Sequence, residues 1–246
     1  MITYDPYEFL PFIGYASPEH PLGERYFSLM HFIESEKFRG VDEDYRSYLR
    51  KLDDPVDFRL ETVGVAQCRH RSDWDGVKVS LIQAGLWMQL VQRQEELRGR
   101  VLIPDCSTGI HLIDDAARAI YKRLVEANKP DDALRRVLLT GDADLDPGKL
   151  KPMLDGIFQS RLPDEIYLLQ EQGVARLAGE YAISRYIPVR VFAETDAREA
   201  AVAVMVKGTH VFSFGREQQP STDFSRNVLA LAEEQGKTAH HIHVGD

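Results

Sequence analysis

The chain has 246 residues, enough for one large domain or two modest ones, and the usual domain size favours two. Its composition is globular, with 43% apolar and 28% charged residues, and no apolar run approaches the ~18 residues of a membrane span. The net charge of −9 argues against extended nucleic-acid binding, because contacts to the phosphate backbone depend on Lys and Arg.

The first residues, MITYDPYEFLPF, carry acids where an export signal needs a basic segment. We therefore expect a cytoplasmic protein with no membrane association. Cys68 and Cys106 lack the CxxC spacing of a zinc site. We expect two buried thiols, although a single bridge between them also fits the sequence.

Helical patterns dominate the first half of the chain. In the longest of them, Val77, Leu81, Ala84 and Met88 follow the 3.6-residue period of a helix. The predicted helices cover residues 26–38, 42–52, 73–102 and 112–127. A polar stretch with a proline, Asn128 to Arg136, then marks a boundary between domains 1–130 and 131–246.

The second half alternates short apolar runs with helical stretches, which predicts a parallel sheet with helices on both faces. Right-handed crossovers would make this domain Rossmann-like. The fold class is thus α+β overall, a mostly helical domain followed by a Rossmann-like α/β domain. The predicted strands begin at Val137, Glu165, Val189, Thr209 and His240, and the predicted helices cover 147–159, 174–185, 198–206 and 225–235.

Four segments of the first domain stand in the order FLPF, YFSLMHFIESEKF, RSDWDGVKVSLIQAGL and QEELRGRVL. In this order they resemble four pieces of the NADAR superfamily pattern. FLPF near Phe9 is similar to FLSNF, and YFSLMHFIESEKF is similar to YPSVEHYFQAxKF. RSDWDGVKVSLIQAGL, from Arg71 to Leu86, resembles R-x-DW-x-x-VK-x-x-x-M-x-x-AL, and QEELRGRVL resembles PELRxxLL. The superfamily includes YbiA-like N-glycosidases and enzymes that remove ADP-ribose from guanine bases.

This resemblance implies hydrolysis of an N-glycosidic bond in a ribosyl nucleotide, of ADP-ribose-linked or riboflavin-pathway type, through a lysine Schiff base. It implies catalytic roles for Lys37 with His31 or Glu34, which would move protons. The substrate-binding residues it implies are Trp74, Arg71, Asp73 and Lys78.

Helical spacing places Met30, Ile33 and Lys37 on one face, so the Lys37 amine would lie among apolar neighbours. Burial disfavours the charged form of an amine and so favours a nucleophile. The alternative is an ordinary lysine whose stem lies along the apolar surface. Asp73 or Ser72 is expected to cap the next helix.

The indole of Trp74 either stacks on a base or anchors the helix in the core. Lys78 and Arg71 either reach a phosphate or belong to a solvated face.

Two departures from the NADAR pattern favour a second hypothesis. Met30 replaces the glutamate of the family's EH pair, and no WG-x-G-x-N-x-L-G segment follows Leu102. The alternative is therefore a catalytically silent sensor or binding module for NAD or an ADP-ribose derivative.

Three segments of the second domain are RRVLLTGDADLD, GVARLAGEYAISRYIPVRVF and STDFSRNVLALAEEQGK. They resemble segments of the SLOG superfamily, whose Rossmann-like members bind or cleave nucleotides. The resemblance implies nucleotide binding at Gly141, Ser221 and Thr222, with a helix N-cap as the alternative role of the last two. The family's glycine-rich run is replaced by residues 169–172, and Ala175 replaces an aspartate.

The expected partner is a small-molecule nucleotide, and no cofactor is implied. The histidines of HHIHV lie on both faces of a predicted strand, so they do not converge on one metal ion, and we predict no metal site. A homo-oligomer is compatible with the sequence.

Overall fold

A computed structural model describes residues 2–17, 19–64, 69–126, 134–170 and 173–245. The chain forms two compact units, Met1–Gly14 with Glu24–Pro130 and Tyr15–Gly23 with Asp131–Asp246. The predicted boundary stretch, Asn128 to Arg136, and Cys68 lie partly or wholly outside the described residues. Cys106 is a buried free thiol. Within the described ranges, no helix combines the length and apolar character needed to cross a membrane.

The first unit is mostly helical, as predicted. It also contains a small antiparallel sheet in which Phe12 pairs with Tyr26. Its elements are β1 Phe12–Ile13, β2 Arg25–Tyr26, α1 Leu29–Glu36, α2 Glu43–Lys51, α3 Pro55–Thr62, α4 Trp74–Gln92, α5 Gln94–Val101 and α6 His111–Tyr121. A π-helical turn, Lys122–Glu126, follows α6.

The helices of this unit depart from the predictions at three places that have local physical reasons. Helix α1 begins at Leu29 rather than at residue 26, because the Ser28 hydroxyl caps it by accepting the His31 amide. The predicted helix 73–102 is two helices, broken at Arg93 with φ −120° and ψ 43°. Helix α3 was not predicted, although its start has an Asp54 cap followed by proline at the first helical position.

Helices α1 and α4 approach each other closely at Gly85. A Cβ atom there would lie 2.5 Å from the ring of Phe32, so only glycine allows this approach. The two helices run antiparallel, because Lys37 at the end of α1 lies beside Trp74 at the start of α4. This packing brings the segments YFSLMHFIESEKF and RSDWDGVKVSLIQAGL together.

A buried ionic cluster lies beneath the same part of the first unit. Arg46, only 2% exposed, donates to carboxylate oxygens of Glu24 and Glu36 at 3.0 Å each and to the Tyr26 hydroxyl at 3.1 Å. Burial raises the pKa of Glu24, but hydrogen bonding and attraction to Arg46 outweigh this and hold that pKa at about 2. The cluster consists of Glu24, Tyr26, Glu36, Arg39, Arg46 and Arg50.

The second unit contains a five-stranded parallel sheet, and all nine helices and strands predicted for it are confirmed. The elements are β3 Arg136–Gly141, α7 Pro147–Ile157, β4 Glu165–Leu169, α8 Val174–Arg185, β5 Val189–Phe192, α9 Ala197–Lys207, β6 His210–Gly215, α10 Asp223–Glu234 and β7 Thr238–His243. The strand order is β5-β4-β3-β6-β7. The fold is therefore mixed α/β.

Helices cover both faces of this sheet. Helices α9 and α10 pack over Leu138, Tyr167 and Val211 on one face. Helix α8 lies on the other, where Gly179 is in van der Waals range of Leu168, and α7 packs beside it. The direction of strand order switches between β3 and β6, the point where doubly wound sheets open a crevice at the carboxyl ends of their strands.

Candidate functional site

A cleft of about 640 Å³ in the first unit collects most of the residues that the NADAR resemblance implies. Its polar lining comes from the end of α1, the loop before α4 and the first turn of α4. Met30, Ile33 and Ile82 are among its apolar lining residues. The principal polar residues of the cleft are Glu34, Lys37, His70, Arg71, Trp74 and Lys78.

Main-chain hydrogen bonds fix the two halves of the cleft against each other. The Arg71 amide donates to the Lys37 carbonyl at 2.7 Å, which attaches the loop before α4 to the last turn of α1. The Trp74 amide in turn donates to the Arg71 carbonyl at 3.1 Å and closes a tight turn. Residues 37 and 71, far apart in sequence, thus become neighbours.

Lys37 lies in the cleft rather than in bulk solvent. Its Nζ is 2.6 Å from Glu34 Oε2 and 5.6 Å from the centroid of the Trp74 ring, close enough for a cation–π contact. The side chains of Lys37 and Glu34 are 19% and 13% exposed. An amine, a carboxylate and an aromatic face are therefore placed together, accessible to a small molecule.

Arg71 also lines the cleft, but Asp73 is not among its lining residues. The Asp73 carboxylate accepts two hydrogen bonds from the Arg71 guanidinium, at 2.6 and 2.8 Å. It consequently makes no cap bond to α4, although it precedes that helix. Lys78 lines the cleft and pairs with Asp75 at 2.7 Å. Asp73 thus orients Arg71. An anionic ligand would compete with Asp73 for Arg71 and with Asp75 for Lys78.

His31 is not part of the cleft. Its Nδ1 lies 2.7 Å from the Ser28 hydroxyl, its Nε2 lies 2.8 Å from the Leu52 carbonyl, and its ring stacks on Phe58 at 3.8 Å. The three-residue spacing from Glu34 still leaves about 60° between the two side chains around the helix, and this rotation turns His31 into the core. The expectation that His31 moves protons at the site is corrected accordingly: it is a core histidine with both ring nitrogens bonded.

Burial lowers the pKa of His31 to about 4, although its hydrogen bond to Leu52 acts in the opposite direction. The native state therefore keeps His31 neutral, whereas the unfolded chain binds a proton below about pH 6.5. We expect the free energy of unfolding of the first unit to be unaffected by His31 above pH 6.5 and to fall below it, by about 2 kcal/mol at pH 5.

Urea denaturation at pH 7 and pH 5 measures this effect. Trp74 and Trp87 are the two tryptophans of the chain and both belong to the first unit, so their fluorescence reports that unit alone. In His31→Gln the His31 share of the pH dependence should disappear. A wild-type loss equal to that of His31→Gln would contradict the prediction.

His70 is a cleft residue that the sequence did not single out. It directly precedes the Arg71 segment, and its ring packs edge-on against Phe38 at 5.3 Å. Burial and the positive charge of Lys37 lower the pKa of His70. The only sequence signal was its position beside the R-x-DW segment.

Met30 contributes an apolar wall where the NADAR pattern has a glutamate. It is 6% exposed and lies on the same side of α1 as Ile33 and Lys37, as the helical spacing predicted. Glu34 is therefore the α1 carboxylate that lies at the amine. The NADAR pattern has a carboxylate at position 30, whereas in this chain the carboxylate beside the amine lies one helical turn later, at Glu34.

In the second unit, the residues implied in nucleotide binding meet at the carboxyl end of β3. Gly141 has φ +145°, and a Cβ atom on it would lie 2.0 Å from the Phe214 carbonyl oxygen, so this position requires glycine. The Thr222 hydroxyl caps α10 by accepting the Ser225 amide at 3.1 Å. Thr222 thus performs the capping role that was the alternative to anion binding.

The Asp142 carboxylate occupies this end of the sheet. It accepts the Arg216 amide at 2.8 Å and the hydroxyl of Ser221. Arg216 reciprocates with a hydrogen bond to the Asp144 carbonyl at 2.8 Å. The Asp142 carboxylate therefore links the loops that follow β3 and β6. It lies at the end of the sheet where doubly wound folds bind a phosphate.

Comparison of the chain with known proteins found no matching protein-family model and no matching curated protein. The NADAR and SLOG resemblances therefore remain predictions. Among the described residues, no group of three or more His, Cys, Asp or Glu side chains is arranged to hold a metal ion. In the C-terminal strand, His241 instead contacts the Ser213 hydroxyl at 3.2 Å and the Glu217 carbonyl at 3.0 Å.

Proposed function

We propose that the protein hydrolyses the N-glycosidic bond of a ribosyl nucleotide through a Schiff base on Lys37. The observation that supports this most directly is the contact of Lys37 with Glu34 at 2.6 Å, in a cleft that Trp74 also lines. A carboxylate at this distance is placed to accept the ammonium proton and release a nucleophilic amine.

The proposed reaction balances with these groups and one water molecule. Glu34 takes one proton from the Lys37 ammonium, and the amine attacks C1 of the ribose. The bonds from C1 to the base and to the ring oxygen break, and the two amine protons pass to the departing base and the ring oxygen. Water then hydrolyses the imine, which returns the amine of Lys37 and releases the sugar as an aldehyde. Glu34 finally gives its proton back to this amine, which restores the ammonium and the carboxylate.

The remaining cleft residues suit the other parts of such a substrate. The Trp74 indole offers an aromatic face on which a base can stack. Arg71 and Lys78 supply positive charge for a phosphate, in exchange for their present pairing with Asp73 and Asp75. The apolar wall at Met30 and Ile82 excludes water from one side of the reacting carbon.

The test is incubation of the protein with ADP-ribosylated guanosine, NAD and a riboflavin-pathway N-glycoside, with and without cyanoborohydride. The proposal expects release of the base from at least one of them and, with the reductant, a covalent adduct whose peptide contains Lys37. No release from any of these substrates, together with no adduct, would remove the enzymatic proposal.

One observation favours a second candidate, a catalytically silent module that binds NAD or an ADP-ribose derivative. The cleft carries the Met30 thioether where the resembling enzymes keep a carboxylate. Such a module would be stabilised by its ligand in proportion to the logarithm of ligand concentration, without turnover. Thermal unfolding with the same three compounds separates the two, because a binder gains stability from an intact ligand that is recovered unchanged.

We further propose that the two units are a NADAR-like domain and a SLOG-like, Rossmann-like domain of a cytoplasmic protein. The strand order β5-β4-β3-β6-β7 supports the second assignment, since it is the 3-2-1-4-5 order of doubly wound sheets. The carboxylate of Asp142 lies at the switch point of this sheet and accepts the Arg216 amide and the Ser221 hydroxyl, so these donors do not bind a nucleotide phosphate in the present conformation.

A further inference from the structure

The first unit contains two described histidines close to Lys37 in sequence or space, and they differ in what their rings can do. Both nitrogens of His31 are bonded to Ser28 and Leu52 inside the core. His70 lines the cleft, and neither of its ring nitrogens has a hydrogen-bond partner within the part of the chain that the structure describes. Only the second ring is accessible to a bound molecule.

The placement of His70 is fixed by the backbone. Its neighbour Arg71 donates to the Lys37 carbonyl at 2.7 Å, so the imidazole emerges next to the end of α1. The ring of Phe38 contacts the His70 ring edge-on, with an interplanar angle of 86°. The His70 ring therefore lies in the same cleft as the Lys37 amine.

We propose that His70 is the proton-transfer group for the water that hydrolyses the Lys37 imine. This inference rests on the proposed function and adds a residue to it. His70 accepts a proton from the water as its oxygen bonds to C1, and passes that proton to the Lys37 nitrogen. When the C–N bond breaks and the aldehyde forms, the second water proton also ends on that nitrogen, so the amine is regenerated.

The electrostatics of the cleft suit a neutral imidazole. Lys37, Arg71 and Lys78 line the cleft as cations, while Glu34 and Asp75 line it as anions paired to two of them. Partial burial and, to a smaller extent, the charge of Lys37 lower the pKa of His70 from its ordinary value of 6.5. At pH 7 the ring is therefore a base, which is the form that can take a proton from water.

Imine formation from a simple aldehyde tests this assignment without knowledge of the natural substrate. The full-length protein is mixed with ribose 5-phosphate, samples are quenched with borohydride over time, and the Lys37 peptide is quantified by mass spectrometry. A proton-transfer group speeds the reaction equally in both directions. His70→Gln should therefore reach the wild-type plateau of adduct about 10²-fold more slowly.

His240→Gln, which removes an exposed histidine of the second unit, is the matched control and should behave as wild type. With His70→Ala, added imidazole should restore the rate, and this provides a second variant if His70→Gln folds poorly. An unchanged rate in His70→Gln, a lower plateau reached at the wild-type rate, or no rescue by imidazole would overturn the role of His70 alone. Absence of a Lys37 adduct in the wild type would overturn the proposed function as well.

Discussion

Replacing Lys37 with arginine should abolish the reducible adduct and lower any base release by at least about 10³-fold. A guanidinium keeps the positive charge opposite Glu34 and over Trp74, so binding and folding are largely retained. It has no amine that becomes an imine with a sugar aldehyde. Adduct yield on the peptide that contains residue 37, together with the rate of base release, measures the effect.

Lys78→Arg is the matched control, because Lys78 lines the same cleft and pairs with a carboxylate at nearly the same distance. It should retain the adduct at residue 37. The assignment of the nucleophile would be wrong if Lys37→Arg retained catalysis, or if the adduct in the wild-type protein formed at Lys78 instead of Lys37. The comparison thus separates loss of an amine from loss of charge.

Replacing Arg46 with methionine should lower the free energy of unfolding of the first unit by about 3–5 kcal/mol. Arg46 is 2% exposed, and its removal would leave Glu24 and Glu36 buried with fewer partners. Urea denaturation followed by tryptophan fluorescence measures the change in this unit. Most of this loss in unfolding free energy comes from the cost of leaving carboxylates buried without a cation. The net attraction between the charges of the intact cluster contributes less.

Arg118→Met provides the control, because Arg118 pairs with Asp115 on an exposed part of α6. Its removal should cost at most about 1 kcal/mol. The double variant Arg46→Met with Glu24→Gln should recover part of the loss by removing a buried charge. A change below 1 kcal/mol for Arg46→Met would show that the cluster is solvated and does not support the fold of α1 and α2.

The second unit was predictable because its signals are local and periodic. The apolar runs of β3, β4 and β6 are short and bounded by polar residues or glycine, and the helices between the strands repeat apolar residues with a helical period. Sequence order also limits how such units connect. The bond between Ser221 and Asp142 was not predictable in this way, because it joins loops 79 residues apart.

In the first unit, the motif match brought Lys37, Trp74 and Arg71 into one hypothesis, and the structure places all three around one cleft. Local patterns could not place the side chains of His31 and His70. The NADAR resemblance implied that His31 acts with Lys37, but the orientation of His31 is decided by Phe58 and Leu52, which lie on other segments. His70 was overlooked because no periodic pattern covers the loop before α4.

The main-chain bond between Arg71 and Lys37 has a consequence for redesign of the protein. Every residue has the main-chain carbonyl that this contact uses, and every residue except proline has the main-chain amide. The contact therefore does not depend on the side chains at positions 37 and 71, provided that residue 71 is not proline. New pairs of side chains can therefore be installed at 37 and 71 while their spacing is preserved. The helix end and the loop form a reusable frame on which different reactive groups can be held face to face.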